Sequence, residues 1–172
     1  MSGADGGKRR RGGAARRAHG GGAPRRRAAR LGAVQALYQM EIAGAPVHEV
    51  LAEFASRRVG EAFDNGQCGH PDLKLLEDIV RGVQARQREI DKAVNAHLAE
   101  DWKLPKLDAT VRAILRAAAH ELLTRRDIPP RVTITEYVEV ARAFFGDGDE
   151  PKFVNGVLDA LARRARAEEM QD

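Results

Sequence analysis

The histidines and the single cysteine are the residues whose types could support catalysis or metal binding. Cys68 and His70 lie two positions apart, but no second pair of ligands stands at a suitable spacing, and structural zinc sites normally need four ligands. His97 and His120 each fall on or beside an apolar helical stripe, which favours surface or hydrogen-bonded core histidines over acid–base catalysis. The sequence therefore predicts no metal site.

Motifs for nucleophilic catalysis and nucleotide binding are missing from the sequence. Ser2 and Ser56 are the only serines, and no G-x-S-x-G, Walker-A or G-x-G-x-x-G pattern occurs. The GDGDE run at 146–150 resembles the start of a calcium loop, but the twelfth position counted from Asp147 is Leu158 instead of Glu. We interpret this run as a turn before a helix with Asp149 as its N-cap, and we expect a non-enzymatic protein without cofactor or small-molecule substrate.

Arginine is the residue type that carries the strongest chemical signal. Residues 1–30 contain Lys8 and nine arginines against Asp5 alone, a net charge of +9. The remaining residues carry 19 basic and 24 acidic side chains, a net charge of −5. Such a split indicates a polyanionic partner reached mainly through one end of the molecule. The alternative is a solubilising tail that binds nucleic acid weakly and without function.

The sequence also indicates where the protein works. One cysteine allows no intrachain disulfide and favours a reducing cytoplasm. The basic N-terminus is not followed by the apolar segment of a secretory signal, and no run approaches the roughly 18–20 apolar residues of a membrane span. An organelle transit peptide fits less well because serines are few. We therefore expect a cytoplasmic protein that makes no contact with membranes.

Composition and periodicity predict an all-α fold. Ala, Leu and Val supply most of the apolar residues and aromatics only 5%, which favours helices over sheets. Residues 1–24 hold eight of the 17 glycines and are predicted to form a disordered basic arm. Helical spacing predicts six helices, at about 25–43, from Pro46, from Asp72 to about 98, at 108–126, after a break at Asp127–Pro130 up to Gly146, and from Asp149 to about Met170.

Two stretches carry a competing β signal. VTITEYVEV (132–140) alternates like a strand, but helical spacing through Phe145 outweighs the alternation. Asn155-Gly156 is a hairpin signal in isolation, yet it lies on a helical stripe. There we expect Gly156 to permit a close helix contact, at a cost of about 1 kcal/mol relative to Ala.

Four blocks of the sequence, taken together, resemble the NusB family of transcription antitermination factors. The blocks are RLGAVQALYQMEI (30–42), IVRGVQARQREIDKAVNAHL (79–98), ILRAAAHELLTRRDIPP (114–130) and KFVNGVLDALAR (152–163). The resemblance implies two small helical bundles, at about 25–100 and 101–172. It also implies binding to the boxA element of ribosomal RNA leader and spacer transcripts, jointly with the small-subunit ribosomal protein NusE. Other Nus factors and RNA polymerase would complete the assembly.

The resemblance also implies a set of RNA-binding residues. Matched by position, these are Arg25, Arg26, Arg27, Arg30, Tyr38, Asp149, Lys152 and Phe153. Arginines at a helix N-terminus add to the positive end of the helix dipole and suit phosphate, and aromatic rings stack on unpaired bases. For Phe153, core packing and RNA contact are equally open.

Several positions depart from the family pattern, and two other functions remain open. Val111 stands where many relatives have an acidic residue associated with the NusE surface, and Thr135, His120 and Pro151 also differ from common family residues. The first alternative is the RNA-binding domain of a ribosomal RNA cytosine methyltransferase, which needs a catalytic domain as well. The second is a helical protein-interaction module with an incidental basic tail.

Overall fold

The computed structural model describes residues 22–56 and 71–171, and within these ranges the chain is helical without any strand. The all-α prediction is confirmed. The α-helices are α1 (Gly22–Ala43), α2 (Val47–Ser56), α3 (Leu73–Ala85), α4 (Gln87–Asn95), α5 (Ala109–Thr124), α6 (Pro130–Phe145) and α7 (Asp149–Ala165); Leu104–Lys106 and Ala167–Met170 form short 3₁₀ helices. Most of the predicted arm lies outside the described residues, as does the stretch 57–70 with Cys68 and His70.

Local sequence signals explain where several helices begin and end. The Asp72 carboxylate accepts a hydrogen bond from Leu75 N at 3.1 Å and caps α3. Asp108 caps α5 in the same way, through Thr110 N at 2.8 Å and Val111 N at 3.2 Å. Pro130 is the first residue of α6, and Gly146 ends that helix with φ of 68°, a backbone angle that glycine adopts without strain.

Helix α5 lies at the centre of the molecule. Eleven of its 16 residues are buried, and its many alanines let neighbouring helices approach closely. It contacts α1, α3 and α4 from the first half of the chain and α6 and α7 from the second. One continuous apolar cluster therefore runs through both halves of the chain, and α5 contributes buried residues to the core of each half. No helix of the described part is long and apolar enough to cross a membrane.

The predicted long third helix is wrong, because it is divided at Arg86. The backbone of Arg86 leaves the helical range with φ of −118° and ψ of 21°, and α4 starts again at Gln87. The apolar stripe continues across the break, since Val83 and Ile90 are both 1% exposed. No glycine or proline marks the site in the sequence. The break lets α4 turn onto α5, so tertiary packing decides it.

Three predicted helix ends also differ from the structure. Helix α1 begins at Gly22, so Pro24 lies in its first turn instead of preceding it. Gly148 is the N-cap of α7, and Asp149, the predicted cap, is its first helical residue. Helix α7 ends at Ala165 and not near Met170, because Arg166 has φ of −136°. The buried Arg166 side chain then binds the carbonyls of Arg125 and Arg126, together with the Glu169 carboxylate.

Candidate RNA interface

The arginine row Arg25–Arg27 lies on the surface at the start of α1. The next residues, Ala28 and Ala29, are 1% and 0% exposed, so the helix enters the core immediately after the row. The carbonyl of Arg25 also accepts a hydrogen bond from Asp72 N at 3.0 Å, which fastens the start of α1 to the start of α3. The three arginines are thus held by the fold and are not part of a loose tail.

Arg27 is held by a carboxylate from another helix. Its Nε and Nη2 atoms donate to the two carboxylate oxygens of Glu136 on α6, each at 3.1 Å. The Arg27 side chain remains 52% exposed, whereas that of Glu136 is 17% exposed. This two-point geometry restricts the direction in which the guanidinium points, while half of the side chain still faces solvent.

Arg30 does not join the exposed row, which corrects the expectation that it faces RNA. The residue is 2% exposed, and its Nε and Nη2 donate to the Glu121 carboxylate at 2.9 and 3.0 Å. At about 100° per residue, five positions place Arg30 roughly 140° around the helix from Arg25, and its contacts put it on the face that packs against α5 and α6. We therefore leave Arg30 out of the proposed RNA-contacting set.

Arg30, Glu121 and Tyr137 form a buried polar cluster that joins α1, α5 and α6. The Tyr137 hydroxyl donates to the same carboxylate, and both Glu121 and Tyr137 are 0% exposed. Burial, followed by the negative charge of Glu121, raises the pKa of Tyr137 well above its ordinary value. Burial by itself lowers the pKa of Arg30, but the hydrogen bonds and charge of Glu121 outweigh it and raise that pKa. The cluster therefore holds a charged ion pair and a neutral phenol.

Tyr38 provides an aromatic surface on the same helix as the arginine row. It is 41% exposed, and Ile42, one turn further along, is 61% exposed. Val34 and Leu37 beside them are buried at 0% and 9%. Tyr38 stands thirteen residues beyond Arg25, which is roughly 20 Å along a helix. A single-stranded RNA of a few nucleotides spans that distance.

The start of α7 provides the remaining residues of the predicted set. Asp149, Lys152 and Phe153 are all exposed there, whereas Pro151 and Val154 face the core. Phe153 is 39% exposed and is not among the residues of the apolar cluster. Of the two roles open to Phe153, the structure favours surface contact over core packing. The acidic Asp149 and Glu150 accompany Lys152, so this surface carries charges of both signs.

Gly156 does not make the close helix contact that its sequence position suggested. A Cβ atom built on Gly156 meets no atom within 4 Å in the described chain, and the residue is exposed. The close approach occurs instead at Gly82 on α3, where an added Cβ would lie 2.0 Å from Cε1 of His120. The His120 ring lies against the Gly82 backbone, with Nε2 at 3.2 Å from Asp78 Oδ2. His120 is therefore a packing residue between α3 and α5.

The other features singled out in the sequence have structural roles or no visible site. The GDGDE run ends α6 and begins α7, as a turn before a helix should. Within the described ranges, no group of three or more His, Cys, Asp or Glu residues is arranged to hold a metal ion. Val111 is 4% exposed on α5, so its own side chain offers little surface to a protein partner.

Sequence reasoning missed the acidic partners of the arginines. Glu136 and Glu121 lie 109 and 91 positions from Arg27 and Arg30, and no local spacing rule links such residues. A third set, Glu41 with Arg112 and Arg116, ties the other end of α1 to α5. Arg116 also reaches Asp91 on α4, with Nε 2.8 Å from Oδ1. Only an excess of arginines on otherwise apolar helices hinted at these pairs.

Comparison with known proteins decides the family. Residues 27–163 match the sequence profile of the NusB family. The chain belongs to the NusB family. Transcription antitermination proteins NusB from Sinorhizobium fredii and Agrobacterium fabrum are each 52% identical to it over 141 residues, which is 82% of this chain and 88% and 85% of theirs. This membership confirms the predicted resemblance and the prediction of a non-enzymatic protein, and it favours antitermination over the methyltransferase alternative.

Solved structures share the NusB fold with this chain. NusB of T. maritima is 31% identical, with a TM-score of 0.66 over 84% of this chain and 95% of that one. A chain from the crystal structure of antitermination factors NusB and NusE in complex with double-stranded RNA is 23% identical, with a TM-score of 0.63 over 81% of this chain and 96% of that one. At that identity the second likeness shows the fold alone.

Proposed function

We propose that this protein is a cytoplasmic transcription antitermination factor that binds the boxA element of ribosomal RNA transcripts jointly with NusE. The observation that carries the proposal is the arginine row, because the fold holds Arg25–Arg27 on the surface at a helix N-terminus. Related NusB proteins are named for antitermination, and one solved relative was crystallised with NusE and RNA. In this proposal other Nus factors and RNA polymerase bind the protein–RNA complex afterwards, and no catalytic step is involved.

The proposed RNA path joins three surfaces that differ in chemistry. The arginine row supplies positive charge in the first two turns of α1, where it adds to the positive end of the helix dipole, and this suits phosphate. Tyr38 and Phe153 supply half-exposed rings for stacking on unpaired bases. Lys152 adds a cation near Phe153, and Asp149 borders the same surface. Phosphate contacts hold the RNA, and the rings favour single-stranded segments over duplex.

A salt-titrated binding experiment tests this function. We expect tighter binding to boxA RNA than to a scrambled RNA of the same length, and a larger preference when NusE is present. For a single strand, the logarithm of the binding constant should fall with the logarithm of salt concentration with a slope of about −0.7 for each neutralised phosphate. Equal binding of both RNAs, with and without NusE, would show that the proposal is wrong.

Matched variants separate the arginine row from general positive charge. Replacing Arg25, Arg26 and Arg27 with Ala should weaken binding to all RNAs and reduce the salt slope, since fewer phosphates are neutralised. Replacing Arg86, Arg88 and Lys92 with Ala removes the same charge from exposed positions at the α3–α4 break. That control should reduce affinity much less. If the two triple variants lose affinity equally, net charge and not the arginine row governs binding.

A further inference from the structure

Glu136 lies between the arginine row and the interior of the protein. Its side chain is 17% exposed, and both of its oxygens accept hydrogen bonds from Arg27. The next residue, Tyr137, is 0% exposed and bonds to Glu121, which in turn holds Arg30 on α1. The buried cluster of Arg30, Glu121 and Tyr137 therefore holds α1 and α6 together. It fixes the backbones of Arg27 and Glu136 relative to each other.

This arrangement gives Arg27 properties that an unpaired surface arginine lacks. A guanidinium held on a carboxylate by two parallel hydrogen bonds loses most of its rotational freedom. The carboxylate also leaves a negative charge beside the path of the phosphates. An RNA whose phosphates lie where the held guanidinium points can accept hydrogen bonds from Arg27 directly. RNA that takes another path must break the Arg27–Glu136 pair or approach the carboxylate.

We propose that Glu136 sets the RNA selectivity of the arginine row by holding Arg27 in one direction and repelling RNA backbones that do not follow it. The inference rests on the RNA-binding function proposed above and assigns Glu136 as a positioning residue. Selectivity of this kind comes from weakening the wrong partners, not from strengthening the right one. Without the Glu136 carboxylate, Arg27 loses this two-point hold and the repulsion of other RNA backbones disappears, so binding becomes tighter and less selective.

Glu136→Gln tests this role because it keeps the side-chain size and removes the charge and one of the two acceptors. A unit charge about 4 Å from a phosphate changes affinity about fivefold in water. We expect affinity for scrambled RNA to rise about fivefold, and affinity for boxA RNA to rise by a clearly smaller factor. The ratio of the two dissociation constants therefore falls, as measured at one fixed salt concentration by fluorescence anisotropy.

Glu139→Gln is the matched control for this variant. Glu139 lies one turn further along α6, and its side chain is 40% exposed and pairs with Arg142 instead of with the arginine row. The substitution removes the same charge from the same helix, so it should change the affinity for boxA RNA and the affinity for scrambled RNA by one common factor. Thermal unfolding of both variants shows whether either substitution changes the fold.

A double-mutant cycle with Arg27→Ala shows whether Glu136 acts through Arg27. In the Arg27→Ala background, Glu136→Gln should no longer reduce discrimination. The selectivity role is overturned if Glu136→Gln retains wild-type discrimination, or if its effect persists in full without Arg27. Those results leave the proposed function intact, provided that the wild-type protein prefers boxA. A wild-type protein without that preference overturns the proposed function and the selectivity role together.

Discussion

Arg30 and Glu121 form an ion pair in the interior of the protein, with Nε 2.9 Å from Oε2, although 91 positions separate them in the chain. The side chains are 3% and 0% exposed, so water solvates and screens neither charge to any large extent. The pair fastens α1 to α5, and Tyr137 adds α6. The direction of the exposed arginine row therefore depends on a contact that RNA does not reach.

Removing Arg30 should destabilise the protein strongly. Arg30→Met leaves the Glu121 charge buried without its cation, which we expect to lower the free energy of unfolding by about 3–5 kcal/mol. Arg26→Met, at an exposed position of the same helix, should change it by about 0.5 kcal/mol or less. Urea denaturation of the two variants measures the difference.

The double variant Arg30→Met/Glu121→Leu shows whether the buried charge is the cause. Replacing both partners with apolar residues of similar size should recover much of the stability, since no unpaired charge remains. An Arg30→Met protein as stable as the wild type would contradict the structural role assigned to Arg30.

Tyr137 should make the protein sensitive to alkaline pH. Its pKa is raised in the folded state above the ordinary value of 10.0, chiefly by burial and then by the charge of Glu121. A raised pKa means that the stabilising contribution is complete below pH 10 and is lost as pH rises beyond it. Tyr137→Phe should therefore flatten the loss of stability above pH 10. Tyrosinate absorbance and unfolding midpoints across this range test the prediction.

Two glycine substitutions should have opposite effects on stability. Gly82→Ala places a methyl group 2.0 Å from the His120 ring, and overpacking of this kind costs about 1–3 kcal/mol. Gly156→Ala adds a methyl group where nothing lies within 4 Å, and it should stabilise α7 by about 0.5–1 kcal/mol. Thermal unfolding measures both. Destabilisation by Gly156→Ala would mean that the α7 surface is more crowded than the structure shows.

Deleting residues 1–21 should reduce general affinity for RNA and leave its preference intact. The deleted segment carries Lys8 and five arginines against Asp5, whereas the arginine row on α1 remains. Fewer cations near the RNA release fewer counterions, so the salt slope becomes shallower by about 0.7 for each phosphate that is no longer neutralised. Loss of discrimination between boxA and scrambled RNA would place specificity in the deleted segment.

Much of the fold follows from local rules that are visible in the sequence. The helix start after Asp72 and the glycine stop at Gly146 appear where predicted, and the cap at Asp108 and the proline start of α6 follow the same kind of rule, which acts over three or four residues. The break at Arg86 has no such signal. It arises because α4 turns to pack on α5, a relationship between distant segments. For the same reason, the end of α7 depends on carbonyls contributed by Arg125 and Arg126.

The sequence by itself determined the helical class, the family resemblance and the presence of an arginine-rich helix start. Each of these depends on residue type and short-range spacing. Only the tertiary structure decided which arginine faces solvent and which is buried, because that depends on the carboxylates that the fold brings to them. Glu136 holds Arg27 at the surface and Glu121 holds Arg30 in the core. In the sequence these two arginines stand about one helical turn apart and look alike.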